Sequence, residues 1–357
     1  MAGSGTLLLV GTGKGLFILR RADGSDKWSI EGPHFAGLAV FSAFLDQRKG
    51  RNEMWAAPAS WHFGAELCKS TDMGKTWDMP EKRRIKMPAS TKTALENIWQ
   101  IAPGADNDTL YVGTAPGGLF ESHDRGATWK LNSGLWKHKH RKNWAPGFGG
   151  LCLHTIITDR KDPNNLKIAV SSAGVYQSSD GGATWSATNT GIKAYFLPDQ
   201  YPEFGQCVHK IVRHPKKKRT LFLQNHHGVY RSRDDGHTWH EIENGLPSNF
   251  GFGLTASSSG AVFIVPLEAD AKRFTCDGKL RVYRTRDEGE TWQPLTKGLP
   301  QKNAYEVILR DSLDSVGTDI FVGTKNGKLF ASADDGDSWK LIEGSLHEIC
   351  CVQAYTI

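Results

Sequence analysis

Residues 178 to 185 read SSDGGATW, and close variants recur as STDMGKTW (70 to 77), SHDRGATW (122 to 129), SRDDGHTW (232 to 239), TRDEGETW (285 to 292) and SADDGDSW (332 to 339). A worn copy, RADGSDKW, lies at 21 to 28. From tryptophan to tryptophan (Trp28, Trp77, Trp129, Trp185, Trp239, Trp292, Trp339), the copies are spaced by about 50 residues, the period of a supersecondary unit that must stack on its neighbours to bury its faces. Each copy follows a short strand such as GVYQ, GVYR or GLFE, and that strand follows another such as TLYVGT, TLFLQN or DIFVGT. A strand leaves each copy at its Thr-Trp, and an apolar segment such as LCLHTII or CVHKIV opens the next unit. Four short antiparallel strands per repeat describe a propeller blade.

The chain ends fit the same scheme. The first repeat has only TLLLVGT and GLFILR before its worn copy, so it lacks an innermost strand, whereas HEICCVQAYTI follows the last copy with no repeat of its own. Pairing residues 347 to 357 beside Thr6 to Thr12 supplies the missing strand. The expected fold is therefore all-β: a single domain over residues 1 to 357, a seven-bladed β-propeller of four-stranded antiparallel blades closed by its C-terminal strand in blade 1.

Composition agrees. Hydrophobic residues make up 39% of the 357 residues, charged residues 23%, and Gly occurs 39 times, as an ordered protein rich in tight turns requires. The N-terminal run TLLLV is too short for a signal peptide or a membrane span and lacks a basic flank, so the chain reads as a cytoplasmic protein with no membrane association. The six cysteines show no CxxC spacing and fit a reducing compartment. The basic runs KHKHRK (137 to 142) and HPKKKR (214 to 219) fall at opposite ends of their blades without interleaved aromatics, which reads as solvated loops and not as a nucleic-acid surface.

The pattern S/T-x-D-x-G-x-T/S-W resembles the Asp-box, or BNR repeat, of sialidases, sortilin-type receptors, xyloglucanases and a photosystem assembly propeller. The resemblance covers essentially the whole chain and implies an architectural role for Asp72, Asp124, Asp180, Asp234, Asp287 and Asp334: the carboxylate accepts bonds within its own turn, the Gly permits positive φ and the Trp packs between strands. Sialidase activity does not transfer, because blade 1 reads GLFILRR, with no Phe/Tyr-Arg-Ile-Pro segment, and no arginine triad is evident. Xyloglucanases of this type carry two propellers facing a cleft, against one here. The chain is most similar to single-propeller bacterial BNR or glycosyl-hydrolase-like proteins.

Each box joins the third and fourth strands, so all boxes lie at one end of the blades. Departures from the repeat gather at the other end, in the connections PEKRRIKMPASTKTALEN, WKHKHRKNWAPGFGG and KAYFLPDQYPEFGQ and in the second-to-third loops PASWHFG, QNHHG and PLEADAKRFTCDG. Long loops on a rigid scaffold commonly carry function. Aligning LCLHTIITD with QCVHKIVRH places Cys152 level with Cys207 and His154 level with His209, and NAYEVILRD adds Glu306 at that level, with Phe41, Trp99 and Phe252 in blades 2, 3 and 6. The cysteine pair reads as small apolar packing.

Three readings stand for His154 and His209: core histidines bonded to neighbouring backbone, ligands of a divalent metal, or a metal-free acid/base pair. For a metal, His154, His209 and His226 would be the ligands, and imidazoles with a carboxylate suit Zn²⁺, Mn²⁺ or Fe²⁺. For catalysis the candidates are His154, His209, Glu306 and Glu268. Trp61, His62, Trp99, Tyr201, Glu203, Asn225, His226, His227 and Tyr305 are the candidate ligand-binding residues. Two function classes follow: a hydrolase or lyase acting on a small polar or carbohydrate-like substrate, or a non-enzymatic propeller binding a ligand or protein at the same end.

Overall fold

The computed structural model describes residues 5–60, 62, 64–78, 84–147 and 149–357. Its strands form seven antiparallel sheets, the blades of a seven-bladed β-propeller. Residues Met1–Gly37, Thr190–Tyr201 and His209–Ile357 form one compact unit, and Leu38–Asn189 with Pro202–Val208 the other. The first unit carries blades 1, 5, 6 and 7, the second blades 2, 3 and 4.

Blade 1 settles the reading of the chain ends. Ile349–Thr356 pairs antiparallel with Gly5–Thr12, from Thr6 opposite Thr356 to Gly11 opposite Cys351, and Gly5–Thr12 continues to Gly15–Ala22 and Ser29–His34. Leu7, Leu8, Leu9 and Val10 are all fully buried. The short apolar run of the N-terminus is thus a strand covered on both faces, the burial that produces a continuous apolar run instead of alternation. Leu8, Val10 and Leu19 pack with Phe321 and Leu329 of blade 7.

In the same unit, blade 5 comprises Val208–Arg213, Leu221–Asn225, Val229–Ser232 and His240–Glu241. Blade 6 comprises Phe250–Ala256, Val262–Ala269, Val282–Thr285 and Gln293–Leu295, with an added hairpin strand Lys272–Thr275 on Val262–Ala269. Blade 7 comprises Leu313–Val316, Asp319–Gly323, Leu329–Ser332 and Lys340–Glu343. Phe263, Val282, Ile308, Val322, Phe330 and Trp339 are among the residues of a shared core of blades 6 and 7. In the second unit, Trp55, Leu110, Val112 and Phe120 anchor the core of blades 2 and 3, and Ile168, Tyr176 and Trp185 that of blade 4.

The boxes repeat one geometry. In blade 4, Asp180 Oδ1 accepts from Ser178 Oγ (2.7 Å) and Thr184 N (2.9 Å), while Oδ2 accepts from Thr184 Oγ1 (2.6 Å). Gly182 N donates to Ser178 Oγ at 2.8 Å. Gly182 has φ +90°, and a Cβ there would stand 2.6 Å from Asn132 Nδ2, so only glycine fits. Trp185 Nε1 closes the turn on Gly182 O at 3.1 Å. The Thr184 hydroxyl, followed by its backbone N–H, holds the Asp180 carboxyl down at about 2. These aspartates are turn fasteners with their acceptor capacity spent locally.

Among the described residues no helix is long and apolar enough to cross a membrane.

Candidate functional site

The inner-strand histidines come first. His154 is fully buried. Its Nε2 lies 2.9 Å from Val208 O, and a carbonyl only accepts, so Nε2 carries the proton; Nδ1 lies 3.0 Å from Thr155 Oγ1. With both ring nitrogens engaged inside the protein, His154 has no lone pair to give a metal and no face for a substrate. The expectation of His154 as metal ligand or catalytic group is corrected on this ground. His209 likewise donates from Nδ1 to Gly251 O at 2.6 Å and is 3% exposed. Burial, then the Arg310 charge, pushes the His209 imidazole well below its ordinary pKa. The core-histidine reading fits His154, so the three-imidazole metal set built on it does not assemble; His209 and His226 remain neighbours, with one ring nitrogen of each within 4.8 Å of the other and ring centroids 5.5 Å apart.

Glu306 corrects a register. The inner strand of blade 7 is Leu313–Val316, so Glu306 lies in the connection that precedes it and not level with His209. Blade 6 explains the shift: its hairpin strand captures the segment, with Thr275 N donating to Glu306 O at 3.0 Å and the Thr275 hydroxyl donating to Ala304 O. The Glu306 side chain is 1% exposed and pairs with Lys328 Nζ at 2.7 Å. Phe252 lies tilted against His209 at 4.5 Å between centroids, and Phe41 against Trp99 at 5.1 Å.

What the first unit does assemble is a cluster at the end of blades 5 and 6 away from their boxes. The connection into blade 5 is wired to the second-to-third turn of that blade. Asn225 Nδ2 donates to Lys193 O (2.8 Å), Lys193 N to Tyr230 Oη (3.2 Å), and Tyr195 N to His227 Nδ1 (3.3 Å). Both oxygens near the Asn225 amide nitrogen are carbonyls, so the amide orientation is fixed by its partners. This wiring holds Tyr195 and Phe196 outward at 48% and 49% exposure. Tyr195 rests on the His227 ring at 5.1 Å, and Phe196 on His227 at 5.5 Å and edge-on to His226 at 5.9 Å.

The blade 6 hairpin completes the rim. His226 Nε2 lies 3.4 Å from Asp270 Oδ2, and Arg273 Nε donates to Asp270 Oδ1 at 3.0 Å. The Arg273 guanidinium sits over Phe252 at 5.5 Å and Phe250 at 5.9 Å. Burial lowers the His226 pKa against the opposing pull of Asp270, and burial lowers His227 as well. Near neutral pH the rim therefore offers two uncharged imidazoles, one carboxylate, one guanidinium and two exposed rings. Glu268, exposed on the same hairpin, accepts from Asp277 N at 3.4 Å. Sequence reasoning selected His226, His227, Asn225 and Glu268 but passed over Tyr195, Phe196, Asp270 and Arg273. The signal was present in KAYFLPDQ, where two adjacent aromatics precede a turn.

The remaining candidates separate. Tyr201 (54%) and Tyr305 (59%) are exposed on the connections into blades 5 and 7. Trp61 lies outside the described residues, as does part of PEKRRIKM. His62 is exposed at the tip of the blade 2 loop. In the second unit Glu203 Oε1 lies 3.4 Å from His140 Nε2, and His140 stacks on Phe204 at 4.2 Å and meets Tyr176 Oη at 3.2 Å. The run KHKHRK is a solvated loop only in part: Lys137, Lys139 and Lys142 are exposed, whereas His140 is 6% exposed, and Arg141 lies 3.5 Å over Trp136 and donates to Gly117 O and Pro116 O. HPKKKR is a first-to-second turn, with Lys217 paired to Glu288 and Lys216 donating to Ser259 O.

Comparison with known proteins agrees with this architecture. A family model described as sortilin, neurotensin receptor 3 (Sortilin-Vps10) matches residues 173–299. A xyloglucanase of Hypocrea jecorina is 22% identical over 269 residues, 74% of this chain and 26% of that protein. Among solved structures, an ancestral GH74 enzyme superposes with TM-score 0.58 at 19% identity, over 84% of this chain and 38% of that one. YCF48 bound to D1 peptide superposes with TM-score 0.54 at 12% identity, over 85% and 82% of the two chains. The fold is that of an Asp-box β-propeller. The chain spans about a quarter or less of the length of the curated relatives it matches, which are xyloglucanases by name.

Proposed function

We propose that this propeller binds a carbohydrate-like ligand on the rim formed by the blade 5 connection and the blade 6 hairpin, in a glycosidase-like site. The observation that carries the reading is the pair Tyr195 and Phe196, adjacent in sequence, half exposed, and held in place on the His226 and His227 rings beside Asp270 and Arg273. An exposed apolar surface rimmed by polar groups marks an interaction site. Rings that supply a flat apolar face, with a carboxylate and a guanidinium at hydrogen-bonding positions, match the alternating C–H and hydroxyl surfaces of a sugar. The xyloglucanase relatives supply the first ligand to try.

Glycoside hydrolysis requires two carboxyl groups flanking the bond. We assign that role to Glu268 and Asp270, the two carboxylates of the blade 6 hairpin, since Glu306 is buried against Lys328. A panel of xyloglucan oligosaccharides and other neutral glycans, assayed for binding and for released reducing ends, tests both parts. Binding lost in the Tyr195→Ala/Phe196→Ala protein, and turnover lost in Glu268→Gln or Asp270→Asn, are the expected results. Binding without turnover leaves a glycan-binding propeller, and no binding by any glycan sinks the proposal.

A further inference from the structure

We propose a second site, in the second unit and independent of the rim: the connection into blade 4 binds an acidic glycan through Lys137, Lys139, Lys142 and Arg141. These four cations, with Trp136 and His138, line a shallow hollow of about 430 Å³. Among the described residues none of the four has a carboxylate partner, and the carboxylate that does approach this loop, Glu203, faces His140. In HPKKKR, by contrast, Lys217 is answered by Glu288. The loop is also wound tightly: Lys137 N donates to Ser133 O, Arg141 N to His138 O and Asn143 N to His140 O. His138 braces it, donating from Nε2 to Trp185 O at 3.1 Å and accepting at Nδ1 from His140 N at 3.2 Å. Like charges fixed in one loop repel, and a bound anion relieves that repulsion.

Arg141 makes the demand for an anion sharpest. Its Nη1 and Nη2 donate to Gly117 O and Pro116 O, and its guanidinium lies 3.5 Å over Trp136. Burial draws its pKa down to about 10 with no carboxylate opposing the shift, whereas arginines withdrawn from water are ordinarily paired. A sulfate or carboxylate group is the partner that a guanidinium flanked by lysines recognises. The surroundings select the kind of chain that carries it. Trp136 packs on the core of blades 2 and 3 and is covered by Arg141, so it offers no face on which a nucleic-acid base could stack. The hollow also lacks an apolar slot of the kind that gives peptide recognition its specificity. A chain of sugars bearing anionic groups needs neither.

The test is calorimetric titration of the full chain with a heparin oligosaccharide, a polygalacturonate oligosaccharide, a neutral xyloglucan oligosaccharide, a DNA single strand and polyglutamate, with melting temperatures recorded. The expected result is binding of an acidic glycan that weakens as salt rises and falls at least about tenfold in the Lys137→Gln/Lys139→Gln/Lys142→Gln protein, whose melting is unchanged because these side chains are exposed. The two acidic glycans tell sulfate from carboxylate. The Lys216→Gln/Lys217→Gln/Lys218→Gln protein, with the same loss of net charge, and the Tyr195→Ala/Phe196→Ala protein should bind the acidic glycan as the unaltered chain does. No binding of either acidic glycan, unchanged affinity in the Lys137→Gln/Lys139→Gln/Lys142→Gln protein, or equal weakening in the Lys216→Gln/Lys217→Gln/Lys218→Gln protein overturns the site. Tighter binding of DNA or polyglutamate than of both acidic glycans overturns the choice of glycan. Failure of xyloglucan alone to bind sinks the rim and leaves this site standing.

Discussion

The Nδ1–H of His209 donates to the carbonyl of Gly251 at 2.6 Å, which ties the inner strand of blade 5 to the inner strand of blade 6. Arg310 extends the tie by donating from Nε to His209 O at 3.0 Å, and Lys210 pairs with Asp311 beside it. Blades 5, 6 and 7 are therefore fastened to one another from within. A histidine in this place works as a strut whose proton must stay where the carbonyl needs it.

The strut makes stability depend on pH. The folded His209 pKa lies well below the ordinary value because of burial, so the unfolded chain takes up a proton that the folded chain refuses once pH falls below about 6.5. Stability is expected to be full above that pH and to decline below it, with up to about 1.4 kcal/mol per pH unit from this residue. Chemical denaturation between pH 7.5 and 5 checks it. His209→Gln should be less stable at pH 7.5 yet show a flatter pH dependence, and ligand affinity of the folded protein should be retained.

The boxes have the opposite charge chemistry and the same separation from the rim. Removing Trp185, which is 5% exposed, should cost roughly 3–5 kcal/mol, the usual range for a buried tryptophan cut to alanine. Asp180→Ala should also lower the melting temperature. Because the Asp72, Asp124 and Asp180 carboxyls are held down at about 2, their contribution is complete above about pH 4 and fades as pH falls towards 2. Glycan affinity of the folded fraction should not change, which calorimetry on either protein can show.

Closure of blade 1 is tested by truncation. Deleting residues 349 to 357 removes the strand paired along Gly5–Thr12 and bares the backbone edge of a strand whose Leu7 to Val10 are fully buried. The shortened chain is expected to be insoluble or to melt far below the full one. A soluble protein with an unchanged cooperative transition contradicts the pairing.

Why the fold was so much more legible than the site follows from the residues themselves. A box such as SSDGGATW carries its structure locally, since Ser178, Asp180, Gly182 and Thr184 bond one another within one turn, and six good copies fix the spacing. The site rests on contacts between segments far apart in the chain. The alignment placed His154 and His209 on inner strands, where they lie, but sequence alone could not show that each ring faces a backbone carbonyl. Glu306 was misplaced because the blade 6 insertion captures the next connection, a pairing with no repeat to announce it. Tyr195 and Phe196 are ordinary loop aromatics until the bonds of Asn225 and Tyr230 to Lys193, and of His227 to Tyr195, hold that loop in place.

Isothermal titration of a xyloglucan oligosaccharide into the unaltered protein and the Tyr195→Ala/Phe196→Ala protein, with the melting temperature of each recorded, bears on the rim most directly. Both side chains are about half exposed, so their removal should leave melting nearly unchanged while weakening the glycan at least about tenfold. Equal affinity in the two proteins, or binding that disappears only together with the folded state, would contradict the placement of the ligand on this rim.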